Sequence, residues 1–193
     1  MSEQLFLMAD SIWMRTKDGD DTVRSIFDRH YSRQRYRDGR SPRLFVGPGF
    51  KIVLITPDAR AIFIWRKFKD ACIDERTSQP QAGVNCAVFR NEGPQKSSML
   101  ILAAEKFATD RWPGERLYTY VDARKVRPKR DPGRCFRRCG WEPCGHTKSG
   151  LLILEKWPDR DPEPDWPDEL PELDWPRDAR DPDFFNDLKR EES

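Results

Sequence analysis

Hydrophobic and polar positions change period several times along the chain, and each change marks an element. Residues 11–16 read as a short strand. Asp21 then stands where a helix cap is wanted, ahead of Val23, Ile26, Phe27 and Tyr31 at helical spacing. Residues 50–56 and 61–68 are apolar, β-branched and aromatic runs. Pro57-Asp58-Ala59-Arg60 parts them, which predicts a hairpin. Residues 84–89 are another strand. After Gly93-Pro94 a helix starts at Ser97, and its Leu100, Ala103, Ala104, Phe107 and Ala108 form one apolar face that ends near Trp112-Pro113-Gly114. Residues 117–121 read as a strand, 133–139 as a short helix and 151–154 as a last strand. One further strand is left open near 145–148. The order β-α-β-β-β-α-β-α-β predicts an α/β fold built on a mixed sheet flanked by helices.

Composition changes this picture at one end. Residues 157–193 hold seven of the sixteen Pro, and 14 acidic residues against 5 basic, a net charge of −9; residues 1–156 therefore carry +11 of the total +2. Proline removes amide donors and like charges repel, so 157–193 is expected to be an acidic tail to a single domain over 1–156. Its near repeat, Asp165-Trp166-Pro167 and Asp174-Trp175-Pro176, fits either a solvating tail or a segment that covers a basic groove. A positive body implies a polyanionic partner. No run approaches 18 apolar residues and the N-terminus lacks a signal-peptide pattern, so a soluble cytoplasmic protein with no membrane association is expected, its oligomeric state open. Five Cys, an odd number without a secretory signal, favour reduced thiols.

Four groups of residues carry candidate chemistry. The first is the stretch Phe89-Arg90-Asn91-Glu92-Gly93, which leaves a strand and enters the helix at Ser97-Ser98. The free amides of a helix start, with Arg90 or Lys96 adding charge, can hold a pyrophosphate, although many α/β connections look alike. The second is basic. Arg29, Arg33, Arg35, Arg37, Arg40 and Arg43 lie in one span with Tyr31 and Tyr36. Arg124, Lys125, Arg127, Lys129, Arg130, Arg134, Arg137 and Arg138 lie in another with only Asp131 opposing them. Guanidinium groups fork onto phosphates and interleaved aromatics stack on bases, so nucleic acid is the expected partner; a solvated charged face is the plainer reading. The third is His30 and Asp122. His30 closes the first helix pattern and can face a cleft or simply pack. Asp122 follows a strand, where it can act as base, cap a helix or pair with a nearby Arg. Last, Cys135-x3-Cys139-x4-Cys144-x-His146 lacks a paired knuckle, so packed thiols are expected rather than a metal site.

The element order, the loop after the fourth strand and Gly133-x-x-Phe136-x-x-x-Gly140-Trp141 resemble the GNAT acyltransferase fold over about residues 5–156. Within that superfamily His30-Tyr31-Ser32, Phe89-Arg90-Asn91-Glu92 with Ser97-Ser98, and Thr119-Tyr120-Val121-Asp122 resemble the Mom-related phage proteins that modify DNA bases. The resemblance implies a mostly antiparallel mixed sheet. It implies acetyl-CoA or another small donor held by Phe89, Arg90, Asn91, Gly93, Lys96, Ser97 and Ser98, and catalysis by His30, Tyr31 and Asp122. The basic clusters supply the expected DNA contacts, Arg33, Arg35, Tyr36, Arg37, Arg124, Lys125, Arg127, Lys129 and Arg130, and the cytoplasm of a bacterial host is the expected location. The loop lacks the family's second glycine, and Phe136 stands where many GNAT enzymes place a tyrosine that protonates the departing thiolate. A different donor, with Tyr31, Tyr120 and Cys135 available, or a different chemistry is then required. The rival readings are an ordinary N-acetyltransferase acting on a protein, small amine or hypermodified base, and a noncatalytic nucleic-acid-binding protein on the same fold.

Overall fold

A computed structural model of the chain describes residues 12–33, 38, 44, 46–68, 82–126 and 131–158. Seven strands and three helices are present among them: β1 (Met14–Thr16), α1 (Asp21–Phe27), β2 (Phe50–Ile55), β3 (Ala61–Lys67), β4 (Val84–Asn91), α2 (Ser97–Arg111), β5 (Leu117–Val121), α3 (Arg134–Arg137), β6 (Glu142–His146) and β7 (Leu152–Lys156). A 3-10 turn, Ala123–Lys125, follows β5. The sheet order is β1-β2-β3-β4-β5-β7-β6, and every neighbouring pair is antiparallel except β4 with β5. This is the expected α/β class with a mixed, mostly antiparallel sheet. No helix among the described residues is long and apolar enough to cross a membrane. The acidic stretch from 159 onward, with its repeated Trp-Pro units, lies outside the described residues, as do Arg35, Tyr36, Arg37, Arg127, Lys129 and Arg130.

Several boundaries differ from the periodicity reading for identifiable reasons. The cap of α1 is Asp20, not Asp21: its Oδ1 accepts from the Thr22 and Val23 amides at 3.0 and 3.1 Å, placing Asp21 in the first turn. The helix stops at Phe27, so His30 and Tyr31 sit in a following turn, closed by His30 N donating to Phe27 O at 2.8 Å. Gly133 is left-handed at φ 72° and precedes α3, which is only four residues long. The strand left open near 145–148 is β6, shifted earlier, because Thr147 and Gly150 close a turn through a 2.8 Å bond.

The sheet is buried on both faces, so its central strands read as continuous apolar runs rather than alternating ones. Val23, Ile26 and Phe27 of α1 pack on Val53, Ile55, Ile62, Ile64 and Val88. Period-two alternation turns the intervening residues to the other face, where α2 lies. There Trp13 Nε1 donates to Leu100 O at 2.9 Å and Trp65 Nε1 to Ala104 O at 2.8 Å. Phe63, Phe89, Phe136, Trp141 and Trp65 form a closed ring of aromatic contacts on this side, with centroids 4.7 to 6.3 Å apart. A buried pair, Lys156 with Glu105 at 3.1 Å, lies beside it; Glu105 also accepts from Trp141 Nε1 at 2.6 Å and Lys156 donates to Cys139 O at 2.7 Å. These bonds tie α2, β7 and the end of α3 together.

Candidate functional site

Two adjacent parallel strands part in the middle of the sheet. β4 and β5 pair only at Val84 with Leu117, Asn85 with Tyr118 and Cys86 with Thr119. On its other edge β4 continues along β3, but Trp65 faces Cys86 while Ile64 faces Val88, so Ala87 is an extra residue. A bulge bends a strand and re-aims its side chains, and here it falls where pairing with β5 stops. The ladder ends on Thr119, whose hydroxyl donates to Cys86 O at 3.1 Å.

A cleft of about 190 Å³ occupies the opening, lined by residues of both sheet faces: His30, Tyr31 and Val88 from the α1 side, Phe89, Cys135 and Phe136 from the α2 side. Gly133 lies at its edge because a Cβ there would stand 2.5 Å from Leu154 Cδ1.

His30 is buried at 8% exposure. Its Nδ1 accepts from the Ser32 amide at 3.2 Å and lies 2.7 Å from the Ser32 hydroxyl, which makes it the unprotonated nitrogen. Burial first, and then the Arg90 charge, hold its pKa down at about 4, against the Phe89 backbone, which acts to raise it. His30 is thus a neutral imidazole with Nδ1 engaged by Ser32.

Tyr31 is 49% exposed, and its O–H donates to Tyr120 O at 3.4 Å. Burial pushes its pKa above the usual tyrosine value. The ring lies 4.4 Å from that of His30, tilted by 32°. Tyr31 therefore spans the opening from the turn after α1 to a backbone carbonyl of β5 that β4 no longer faces.

Asp122 does not line the cleft. Both of its carboxylate oxygens are taken by Arg124, through Nε at 2.8 Å and Nη2 at 3.1 Å, and Oδ1 also caps the 3-10 turn through the Arg124 amide at 3.1 Å. The Arg124 hydrogen bond is the main reason its pKa is lowered. The cap and the ion pair weighed as alternatives to a base are both present.

The loop after β4 is internally bonded. Asn91 donates to Gln95 O at 2.7 Å and to Ser97 Oγ at 3.2 Å, and accepts from the Gly93 amide at 2.9 Å. Arg90 bonds Glu92 at 2.5 Å, and Glu92 is forked by Arg29 at 2.7 and 3.0 Å. These two guanidiniums, Arg29 first, hold the Glu92 carboxyl down at about 2. The start of α2 is different. Lys96 provides no side-chain cap and the first turn holds no acid, so amides at Ser97 and Ser98 carry no local anion. Arg33 is paired with Asp28, while Arg124 and Lys125 stand exposed at the end of β5.

The described cysteines are not alike: Cys86 and Cys139 are buried, Cys135 is half-buried and Cys144 is exposed. Cys139 Sγ donates to Ser98 O at 3.3 Å and to Cys135 O at 3.1 Å, and burial raises the pKa of Cys86, Cys135 and Cys139. No cluster of three or more metal-ligating side chains occurs among the described residues. Periodicity did not find the Ala87 bulge, the Thr119 closure or the Val126 and Gly133 walls; Gly133 after Pro132 was the one local signal. Comparison of the chain with models of known families, with curated proteins and with solved structures finds no match.

Proposed function

We propose that the chain is a group-transfer enzyme of the GNAT kind, resembling the Mom-like group, that moves a small group from acetyl-CoA or a related acyl-CoA onto a base amino group in DNA, adenine by that resemblance. The observation that carries this reading is the opening between β4 and β5, whose lining comes from both faces of the sheet. A buried backbone edge wants partners, and an extended amide-bearing arm laid against β4 supplies them. The uncapped α2 amides of Ser97 and Ser98 offer a place for phosphate, and Lys96 adds charge. Arg90 joins only by leaving Glu92.

An acyl-CoA supplies an acyl group activated as a thioester. The exocyclic amine of a base is neutral near pH 7, so no base is needed before it attacks. The departing thiolate needs a proton, and Phe136 has none. Tyr31 O–H is held by Tyr120 O and Thr119 O–H by Cys86 O; the Cys135 side chain lines the same cleft. Burial raises its pKa, and the Phe136 and Cys135 amides act against that rise. Cys135 is the donor in this reading, and the proton that the amine gives up after attack restores its S–H.

The test is two-sided. Acyl-CoA is expected to raise the melting temperature, and Arg90→Ala to reduce the shift. DNA from cells expressing the protein is expected to contain a new nucleoside by mass spectrometry, with Cys135→Ala lowering its yield. No shift with several acyl-CoA species and no new nucleoside defeats the reading. One observation favours a second: Nδ1 of His30 and both oxygens of Asp122 are occupied, as fits a noncatalytic nucleic-acid-binding protein. DNA binding without any new nucleoside selects it.

A further inference from the structure

Tyr31 is an unusual combination: half exposed, yet anchored at its tip and supported on a ring face. An exposed tyrosine ordinarily turns about two side-chain torsions. This one has its hydroxyl bonded to Tyr120 O of β5 at 3.4 Å, and its ring resting on His30, which is itself buried and hydrogen-bonded to Ser32. The cost of ordering it is met within the fold, which leaves an aromatic surface prepared for contact at the cleft mouth. Its hydroxyl, by contrast, is committed to the protein.

We infer that the α1 side of the opening binds a planar aromatic acceptor, a nucleobase displaced from its stack, against the ring of Tyr31. This deepens the proposed function by assigning the acceptor position, and it recasts Tyr31 from a proton-transferring residue to a stacking platform. The cleft, at about 190 Å³, is smaller than the roughly 300–1,000 Å³ of pockets that enclose drug-sized molecules, so it admits one ring system and leaves sugar and phosphate outside. Outside stand exposed basic side chains. Lys125, with Arg124 paired to Asp122 beside it, follows directly on the Tyr120–Asp122 backbone. Arg29, forked on Glu92, stands on the turn side. A stacked base flanked by cations on its backbone is the arrangement by which single-stranded nucleic acid is held without sequence reading. A lysine ammonium also sits favourably over a tyrosine ring, so a lysine peptide is set against a base-containing strand below.

The experiment uses the full chain and a single-stranded oligonucleotide carrying 2-aminopurine at one position, without acyl-CoA. Binding is expected to quench the 2-aminopurine fluorescence. Tyr31→Phe, which keeps the ring, is expected to retain the quenching. Tyr31→Leu is expected to lose it and to weaken binding about tenfold, the effect of removing one base-stacking aromatic. Replacing 2-aminopurine by an abasic site is expected to weaken wild-type binding similarly and leave Tyr31→Leu unaffected. Absence of quenching in the wild type, equal binding by wild type and Tyr31→Leu, or equal loss in the Phe and Leu variants each overturns the inference. So does displacement of the bound oligonucleotide by a lysine peptide at lower concentration than by a base-containing strand. Failure of the transferase reading shows elsewhere, in acyl-CoA shifts and nucleoside masses, so the two failures are distinguishable.

Discussion

The two edges of β4 do opposite things with one backbone. Toward β3 the strand is paired from Val84 to Asn91, broken only by the Ala87 bulge, and its partners Ile62, Phe63, Ile64 and Trp65 have no exposed surface. Toward β5 it pairs at three residues and then departs. The paired edge satisfies its amides and carbonyls with a ladder that no ligand can enter. The parted region instead meets side chains, the Thr119 hydroxyl on Cys86 O where the ladder ends and the Tyr31 hydroxyl on Tyr120 O of the facing strand. Side chains can move by rotation where a ladder cannot, so one strand supports both the core and the site.

Mutations on each edge test that contrast. Trp65→Ala removes the indole that bonds Ala104 O and stacks with Trp141, and it is expected to cost about 3–5 kcal/mol in denaturant unfolding. A loss below about 1 kcal/mol shows that the paired edge does not carry the stability.

On the parted edge the main effect is acid-dependent. His30 has a folded pKa of about 4 against 6.5 unfolded, so its neutral state stabilises the fold fully above pH 6.5, and that contribution falls as pH drops from 6.5 to 4. The fall is on the order of 3 kcal/mol from the size of the shift. Unfolding free energies across this range are expected to decline in the wild type and to lie flatter in His30→Asn. Glu92 acts lower: its depressed pKa gives stability above about 4.5 that is lost as pH falls toward about 2. The two windows separate the groups, and an unchanged slope in His30→Asn rules out the neutral buried imidazole.

The smallest change is Thr119→Val, which keeps the shape and deletes the bond to Cys86 O. About 1 kcal/mol of destabilisation is expected. A neutral result removes Thr119 as the stop of the β4–β5 ladder.

Much of the fold was legible in order and type. The 57–60 hairpin, the apolar face of α2 and the strands flanking both announce themselves because each is a pattern within a few residues. The site was legible as a set of places and not as a set of roles. His30 and Tyr31 do meet at a cleft, whereas Asp122 is turned to Arg124 and Arg90 to Glu92. Spacing could not give those pairings. Arg29 and Glu92 are 63 positions apart, and only the packing of the turn after α1 on the end of β4 brings them within 2.7 Å.

By itself, the amino-acid sequence determined the element types, the apolar faces and the separation of a +11 body from a −9 end, because periodicity, capping and charge are properties of a single stretch of chain. The tertiary structure decided where β4 leaves β5, which side chains close the opening and which charged groups are already engaged. A bulge on one edge and a missing partner on the other are relations between strands, and register between strands is set by the packing of both faces of the sheet at once.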